Sequence, residues 1–459
     1  MNRVIIGLMI ALCVVVGAGL FGILDSRATD VFLEATRPDF QKIPIGVFGF
    51  QNGGGPEWLG GRIEEVLKAD LQRSLVFSLV DLPAIGVKAR EVSTTDKAIF
   101  KQAAENGVSV LVWGKSGQKN GSKDSELLMD GFVYDSGSDE VVGGKRYVGS
   151  TSVVRLMAHR FADELVFRYT GEPGIARTKI VYVAEHGNAR ELFVMDYDGY
   201  EPKQITADGF LNLMPRWSPD RRFIVFTAYR SRNTQDIDIL ELATGKRWTL
   251  VSMAGLNITP ALSPDGNFLA FASSQDGNSE IYKLDTRTKT PQRLTVNQGG
   301  DLSPTWSPTG REIAFTSDRG GAPQLFVMSA DGSNVRRLTY EGDYNAAPAW
   351  SPRGNWIAYV CRTAQRLYKI CTVSPDGQKR VQVTTGPGID DSPSWSPDGR
   401  HITFSSTVDG KSHIYMVDTR PSKAAGWNAS RSVARTIVRR PGPRRCRYDH
   451  QAIPESTIY

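Results

Sequence analysis

Trp306-Ser307-Pro308-Thr309-Gly310 is the stretch that decides the fold, because the chain returns to it four more times. The same signature stands at Trp217-Ser218-Pro219-Asp220, Leu262-Ser263-Pro264-Asp265-Gly266, Trp350-Ser351-Pro352-Arg353-Gly354 and Trp395-Ser396-Pro397-Asp398-Gly399. The first residues of successive units lie 45, 44, 44 and 45 positions apart. A fixed period of this length marks repeated supersecondary units, and about 40–50 residues is the span of a four-stranded propeller blade.

Reading outward from Trp306 gives four short strands, at 304–307, 312–316, 324–328 and 335–339, separated by turn residues. Pro removes a ladder donor and so ends a strand, and Asp331-Gly332 supplies the positive φ of a tight hairpin. The Trp is expected to pack between neighbouring blades, with Leu262 in that role in the second unit. A leading unit without a Trp, at 180–184, 191–196 and 202–206, brings the expected count to six blades over residues 175–420.

The formal charge of +6 invites a nucleic-acid reading, but residues 421–459 alone carry eight Lys and Arg against two acids. The other 47 basic and 47 acidic residues cancel, so no basic domain is available to follow a phosphate backbone. Asn2-Arg3, the 21-residue apolar run from Val4 to Leu24 and Ser26-Arg27-Ala28 read as a secretory signal over 1–28. An uncleaved membrane anchor is the alternative. Residues 29–41 are polar and aperiodic and form an arm.

Residues 42–172 read as an α/β domain. Strands are expected at 43–50, 76–81, 108–114, 125–135 and 140–149, and helices at 56–75, 95–106 and 152–170. Leu59, Ile63, Val66, Leu67 and Leu71 share one face of the first helix, and Gly171 stops the last. Gly53-Gly54-Gly55 lies between strand and helix, but no Gly-Lys-Ser/Thr follows, so it is a loop and not a phosphate cradle. His159 is read as a structural histidine.

No constellation for chemistry emerges. Gly-x-Ser-x-Gly is absent from the sequence, which argues against a serine hydrolase, and the five His are scattered without metal-ligand spacing. Asp196-Tyr-Asp198-Gly199 has a calcium-like look that a hairpin turn explains. The expectation is a non-enzyme without metal or cofactor. Cys361 and Cys371 flank the turn at 363–366 on two strands of one hairpin, where a disulfide is one reading and two buried thiols the other.

The span from Lys42 to Asp418 resembles the TolB family of periplasmic propellers. The resemblance rests on Ile45-Gly-Val-Phe-Gly-Phe50, Leu67-Lys-Ala-Asp-Leu-Gln-Arg-Ser74, Leu111-Val-Trp-Gly114 and Leu156-Met-Ala-His-Arg-Phe-Ala-Asp163. It continues through Tyr169-Thr-Gly-Glu172, Lys179-Ile-Val-Tyr-Val183 and Asp196-Tyr-Asp-Gly199. It implies a monomeric adaptor of the Tol-Pal system, supporting outer-membrane integrity and constriction at division. The propeller mouth would dock Pal, a peptidoglycan-binding outer-membrane lipoprotein, and the arm would serve TolA. The chain would be peripheral to the outer membrane through Pal. An exported propeller related to a serine peptidase and a glycan-binding envelope scaffold are the competing readings.

The expected mouth loops are 211–215, 256–260, 300–304, 344–348 and 389–393, which share one register. Their candidate contact residues are Leu213, Leu256, Thr259, Leu302, Ser303, Ala346, Asp390 and Asp391. Leu256, Thr259 and Leu302 match positions that face Pal in the family. At the far end the period calls for another Trp-Ser-Pro near residue 439, where Arg439-Arg-Pro-Gly-Pro443 stands instead. In the family that missing strand completes the first blade. Residues 421–459 are therefore expected to be a disordered, frame-shifted tail, with a basic interaction tail as the alternative, and the ring is expected to be open or weakly closed between blades six and one.

Overall fold

The structure, a computed structural model, describes residues 41–87, 92–118, 126–230, 234–408 and 410–419, with the backbone of 435–436. The signal sequence, residues 29–40 of the arm and the rest of the basic tail lie outside the described residues. Among the described residues, no helix is long and apolar enough to cross a membrane.

The first domain is a five-stranded sheet of β1 (Ile43–Asn52), β2 (Phe77–Val80), β3 (Val110–Gln118), β4 (Leu127–Asp135) and β5 (Glu140–Gly149), in the order β2-β1-β3-β4-β5. β1 runs parallel to β2 and β3, and the remaining pairs are antiparallel. Helices α1 (Trp58–Arg73), α2 (Lys97–Glu105) and α3 (Val154–Thr170) cover both faces. Alternation along β3 explains the layering, since Val110 and Val112 join α1 and α3 in one core while Leu111 and Trp113 join α2 in the other. The apolar stripe of α1 is buried as its spacing requires. Gly60 lets α1 approach β1, because a Cβ there would lie 2.2 Å from the carbonyl oxygen of Phe50. Gly171 caps α3 at φ 72°, donating its amide to the Phe167 carbonyl.

The rest of the described chain is a β-propeller. It opens with β6 (Lys179–His186), β7 (Ala189–Asp196) and β8 (Lys203–Gln204). Next come β9 (Leu211–Trp217), β10 (Phe223–Tyr229), β11 (Gln235–Glu241) and β12 (Arg247–Val251). These seven strands are joined as one sheet. Four separate four-stranded sheets follow. The first holds β13 (Asn257–Leu262), β14 (Phe268–Ser273), β15 (Glu280–Asp285) and β16 (Pro291–Arg293). The second holds β17 (Asp301–Trp306), β18 (Glu312–Ser317), β19 (Gln324–Ser329) and β20 (Arg336–Arg337). The third holds β21 (Asn345–Trp350), β22 (Ile357–Arg362), β23 (Tyr368–Val373) and β24 (Arg380–Gln382). The last holds β25 (Asp390–Trp395), β26 (His401–Ser406), β27 (His413–Asp418) and β28 (Arg435–Thr436). The first strands β9, β13, β17, β21 and β25 touch one another in succession, so they line the axis of the ring.

The repeated signature is a hairpin built around a serine. Ser263 Oγ donates to Asp265 Oδ1 at 2.5 Å and accepts the Phe268 amide at 2.9 Å, while Gly266 takes φ 74°. Trp306 sits in a core shared with Ala261, Ala270 and Ala272 of the preceding sheet, and Trp395 likewise packs on Ala349 and Ala358. Leu262 fills the corresponding place beside Val225 and Ile237.

Two sequence expectations are corrected here. The segments read as mouth loops are the opening halves of the axial strands, and each carries a β-bulge. At every bulge a residue other than glycine takes a left-handed φ immediately before the proline: Met214, Thr259, Ser303, Ala347 and Ser392, all between 51° and 54°. The strand therefore passes through its proline, whose missing N–H falls where the ladder is already interrupted. Second, Arg435–Thr436, inside the stretch read as strandless, pairs with Tyr415 and Met416 of β27. It stands in Ser432-Val433-Ala434-Arg435-Thr436-Ile437-Val438, the one β-prone run of that basic segment.

The ends of the propeller meet through side chains. Ile414 of β27 packs against Ile180, Tyr182 and Met195 of the opening unit. Cys361 and Cys371 are bonded to each other, Cα to Cα 5.9 Å apart. They are not directly opposed on the hairpin. Cys361 faces Lys369 and Cys371 faces Tyr359, so the bridge runs diagonally across two register steps.

Candidate functional site

Each axial strand runs from the mouth of the ring down to its Trp-Ser-Pro turn, and the α/β domain sits on the turn side. Glu172, just after α3, accepts hydrogen bonds from Arg353 at 2.5 Å and Arg400 at 2.6 Å, both beside these turns. His401, at the start of β26, bonds through Nε2 to the carbonyl oxygen of Arg73 at 2.9 Å. The mouth is consequently the opposite face, away from the α/β domain.

Large apolar side chains gather on that mouth. Phe210, Leu211, Leu256, Val296, Tyr340, Ile389 and Val408 are all exposed, and all lie where a sheet hands over to the next axial strand or in the neighbouring hairpin turn. Val296 and Tyr340 are 77% and 72% exposed. A soluble surface rarely concentrates apolar groups on one rim without a partner to cover them.

The eight sequence candidates divide by burial. Leu256 is exposed, its backbone pinned by Ser274, whose hydroxyl accepts the Leu256 amide at 2.9 Å. Leu302 is partly buried against the core around Trp306. Thr259 and Ser303 occupy adjacent bulges, and the Ser303 amide donates to Thr259 Oγ1 at 3.2 Å. Leu213, Ala346 and Asp390 are buried within strands, so their side chains do not reach the mouth surface. Asp390 is held by Lys369 Nζ at 3.0 Å and Ser406 Oγ at 2.6 Å. Asp391 is half-buried, and burial raises its carboxyl against the opposing effect of the Ser392 amide and hydroxyl. Burial, and then the Asp391 charge, raises the nearby Tyr344 phenol.

Beneath the rim runs a set of polar joints that the sequence reading missed. A residue at or near the start of one strand grips the first residues of the next axial strand. Glu191 accepts from Asn212 at 3.0 Å, Gln324 accepts from Asn345 at 2.9 Å, and Lys369 donates to Asp390. In the sheet of β13–β16 Glu280 takes Thr295 at 2.6 Å and Asn297 at 3.3 Å, and Asn297 in turn donates to Asp301 at 2.8 Å. All these groups except the partly exposed Asn297 are buried, and each makes at least one hydrogen bond across the joint.

The two domains meet at a second polar cluster. Tyr197 donates its hydroxyl to Asp70 Oδ1 at 2.5 Å, and His159 Nδ1 lies 2.6 Å from Asp70 Oδ2. Arg155 pairs with Asp198. Asp70 comes from α1, His159 and Arg155 from α3, and Tyr197 and Asp198 from the β7–β8 turn. Burial raises the Asp70 carboxyl, opposed by His159 and Tyr197. His159 is thus buried and oriented by Asp70.

The same two-domain layout is found among known proteins. A family model for the TolB beta propeller domain matches residues 166–432, and one for the TolB amino-terminal domain matches residues 31–130. The chain belongs to the TolB family. It is 34% identical over 296 residues to the Tol-Pal system protein TolB of Desulfosudis oleivorans, covering 64% of this chain and 65% of that protein. It is 35% identical over 226 residues to the Protein TolB homolog of Chlorobium chlorochromatii, covering 49% and 50%. The matches therefore span between half and two thirds of those relatives' own length. The crystal structure of TolB from Acinetobacter baumannii superposes with a TM-score of 0.70 at 26% identity, over 83% of this chain and 92% of that one.

Within this TolB-family framework the missed residues had a signal in the sequence. Val296 and Tyr340 each follow a Leu-Thr pair, Leu294-Thr295 and Leu338-Thr339, where a polar turn residue is the norm. The joint residues 191, 280, 324 and 369, together with Gln235, whose backbone carbonyl accepts from Asn257 at 3.1 Å, recur at 44 or 45 positions, the same spacing as the repeated signature.

Proposed function

We propose that this chain is a non-enzymatic periplasmic adaptor of the Tol-Pal system whose propeller mouth docks the lipoprotein Pal. The observation that carries the proposal is the ring of exposed apolar side chains on the mouth, from Phe210 through Tyr340 to Val408, opposite the face occupied by the α/β domain. A globular partner seated there would cover those groups and meet a rim stiffened by the buried joints. In this reading the propeller has six blades. The seven-stranded sheet counts as two, because a single parallel pair, Arg190 with Leu211, joins β7 to β9. Residues 29–41 serve TolA, and the chain works as a monomer held at the outer membrane through Pal.

Burial changes which variants test this. Leu302 supports the core, so an acid there would perturb the ring as well as the mouth. Leu256→Glu combined with Tyr340→Glu is the cleaner choice, since both side chains are exposed. The expected result is a loss of at least about tenfold in affinity for purified Pal by calorimetry, about 1.4 kcal/mol or more, with an unchanged circular dichroism spectrum. Undiminished binding would overturn the docking assignment. Deleting residues 29–41 should leave Pal binding intact and abolish capture of TolA; a TolA complex that survives the deletion rules out the arm.

A further inference from the structure

The Asp196-Tyr-Asp198-Gly199 turn, read above as a simple hairpin, meets the α/β domain at His159. A ring nitrogen of His159 and one carboxylate oxygen each from Asp196 and Asp198 lie within 4.8 Å of one another. His159 is 3% exposed. Its Nδ1 is engaged by Asp70, while its buried Nε2 has no hydrogen-bond partner. A buried polar atom left unpaired costs about 1–3 kcal/mol, so this nitrogen calls for a ligand.

We propose that His159, Asp196 and Asp198 form a binding site for a divalent transition-metal ion of the zinc class. One imidazole nitrogen with two carboxylates suits zinc, whereas calcium and magnesium favour all-oxygen sets. A water molecule would complete four-coordination. The surroundings are those of a supported ligand. A carboxylate on Nδ1 fixes the tautomer that leaves a lone pair on Nε2, and Asp70 is itself held by the Tyr197 hydroxyl. Metal binding competes with cations already at the turn. Lys179 pairs with Asp196 Oδ1 at 2.6 Å, and Arg155 pairs with Asp198 Oδ2, with Arg73 4.0 Å from the same oxygen. Those pairs engage one oxygen of each carboxylate. The other Asp198 oxygen accepts a long bond from the Tyr200 amide, at 3.3 Å. A bound ion would join α3 to the β7–β8 turn and so fasten the α/β domain to the propeller.

The test is titration of the metal-free full chain with zinc in competition with a chromophoric chelator, alongside cobalt(II) as a spectroscopic substitute. The expected result is one saturable zinc per chain, visible cobalt bands of a four-coordinate site and a higher melting temperature. His159→Gln and Asp196→Asn should each weaken binding about tenfold to a hundredfold. Should His159→Gln fail to fold, Asp196→Asn at the partly exposed end of β7 decides alone. Absence of saturable binding overturns the proposal. So does wild-type zinc affinity in Asp196→Asn, which would place the ion elsewhere, or calcium binding as tight as zinc.

Discussion

Trp306 donates its indole Nε1–H to the carbonyl oxygen of Ala261, at 3.0 Å, across the boundary between two propeller sheets. Trp395 makes the same bond to Ala349 at 2.9 Å. At these two repeats the tryptophan is thus a joint between sheets, apolar on its faces and hydrogen-bonded at its edge, whereas Trp350 donates to Gly354 of its own turn. Trp306→Ala should destabilise the propeller by about 3–5 kcal/mol. Trp306→Leu should cost distinctly less, because Leu262 already fills the equivalent place one repeat earlier. Denaturant midpoints measure the difference, and equal losses in the two variants would refute the joint's dependence on shape.

The Lys369–Asp390 pair offers a test of the buried joints. Both side chains are nearly inaccessible, so Asp390→Ala strands a buried ammonium and should cost about 3–5 kcal/mol. The neutral pair Gln324–Asn345 does the same work one sheet earlier. Lys369→Gln with Asp390→Asn should therefore recover most of the stability lost in the single variant. A double variant no more stable than Asp390→Ala would mean that the charge itself is required there.

The sequence made the propeller legible because its turns use chemistry with few alternatives: Ser-Pro-Asp-Gly is both frequent and spaced by a constant period. The axial bulges were illegible for the converse reason. Met214, Thr259, Ser303, Ala347 and Ser392 share a backbone conformation but no residue type, and none is the glycine that usually marks a positive φ. Asp390 was read as a mouth contact since an acid beside a turn is usually solvated, and only its burial against Lys369 reveals the joint. The junction of Asp70 with Tyr197 spans 127 positions, beyond the reach of any local pattern. The rim itself was half visible, with Leu256 recognised and Val296 and Tyr340 passed over.

Asp398 gives the fold a defined acid limit. Burial raises its carboxyl, but His401, the Ser396 hydroxyl and the Arg400 amide outweigh that and hold it down to about 2. A carboxyl depressed in the folded state contributes stability that is full above its unfolded value, near 4, and is lost as pH falls through its folded value. Asp398 should therefore supply about 2 kcal/mol at neutral pH that disappears between about pH 4 and pH 2. Asp398→Asn should lower neutral-pH stability while flattening the pH dependence in that window. Unfolding curves at pH 7, 4 and 2.5 provide the check, and parallel curves for the two proteins would dismiss the assignment.

The seam between the last sheet and the opening unit behaves differently from the rest of the ring. β10 is paired on both sides, by β9 and β11, whereas β6 pairs with β7 on one side and, among the described residues, with no strand on the other. β27 is flanked by both β26 and β28. Both seam strands are nonetheless packed, because Ile414 lies against Ile180, Tyr182 and Met195. Backbone amides at an unpaired edge lack the ladder bond that slows exchange, even where neighbouring side chains are buried. Hydrogen exchange should therefore be fast at the β6 amides that face away from β7, slow along β10 and intermediate along β27, whose outer partner is only two residues long. Ile414→Ala removes the apolar contact across the seam and should accelerate exchange in β6 and β27 together, leaving β10 unchanged. Strong protection along the whole of β6 in the wild-type protein would mean that another strand occupies this edge, and the seam would then be held by backbone pairing and not by Ile414.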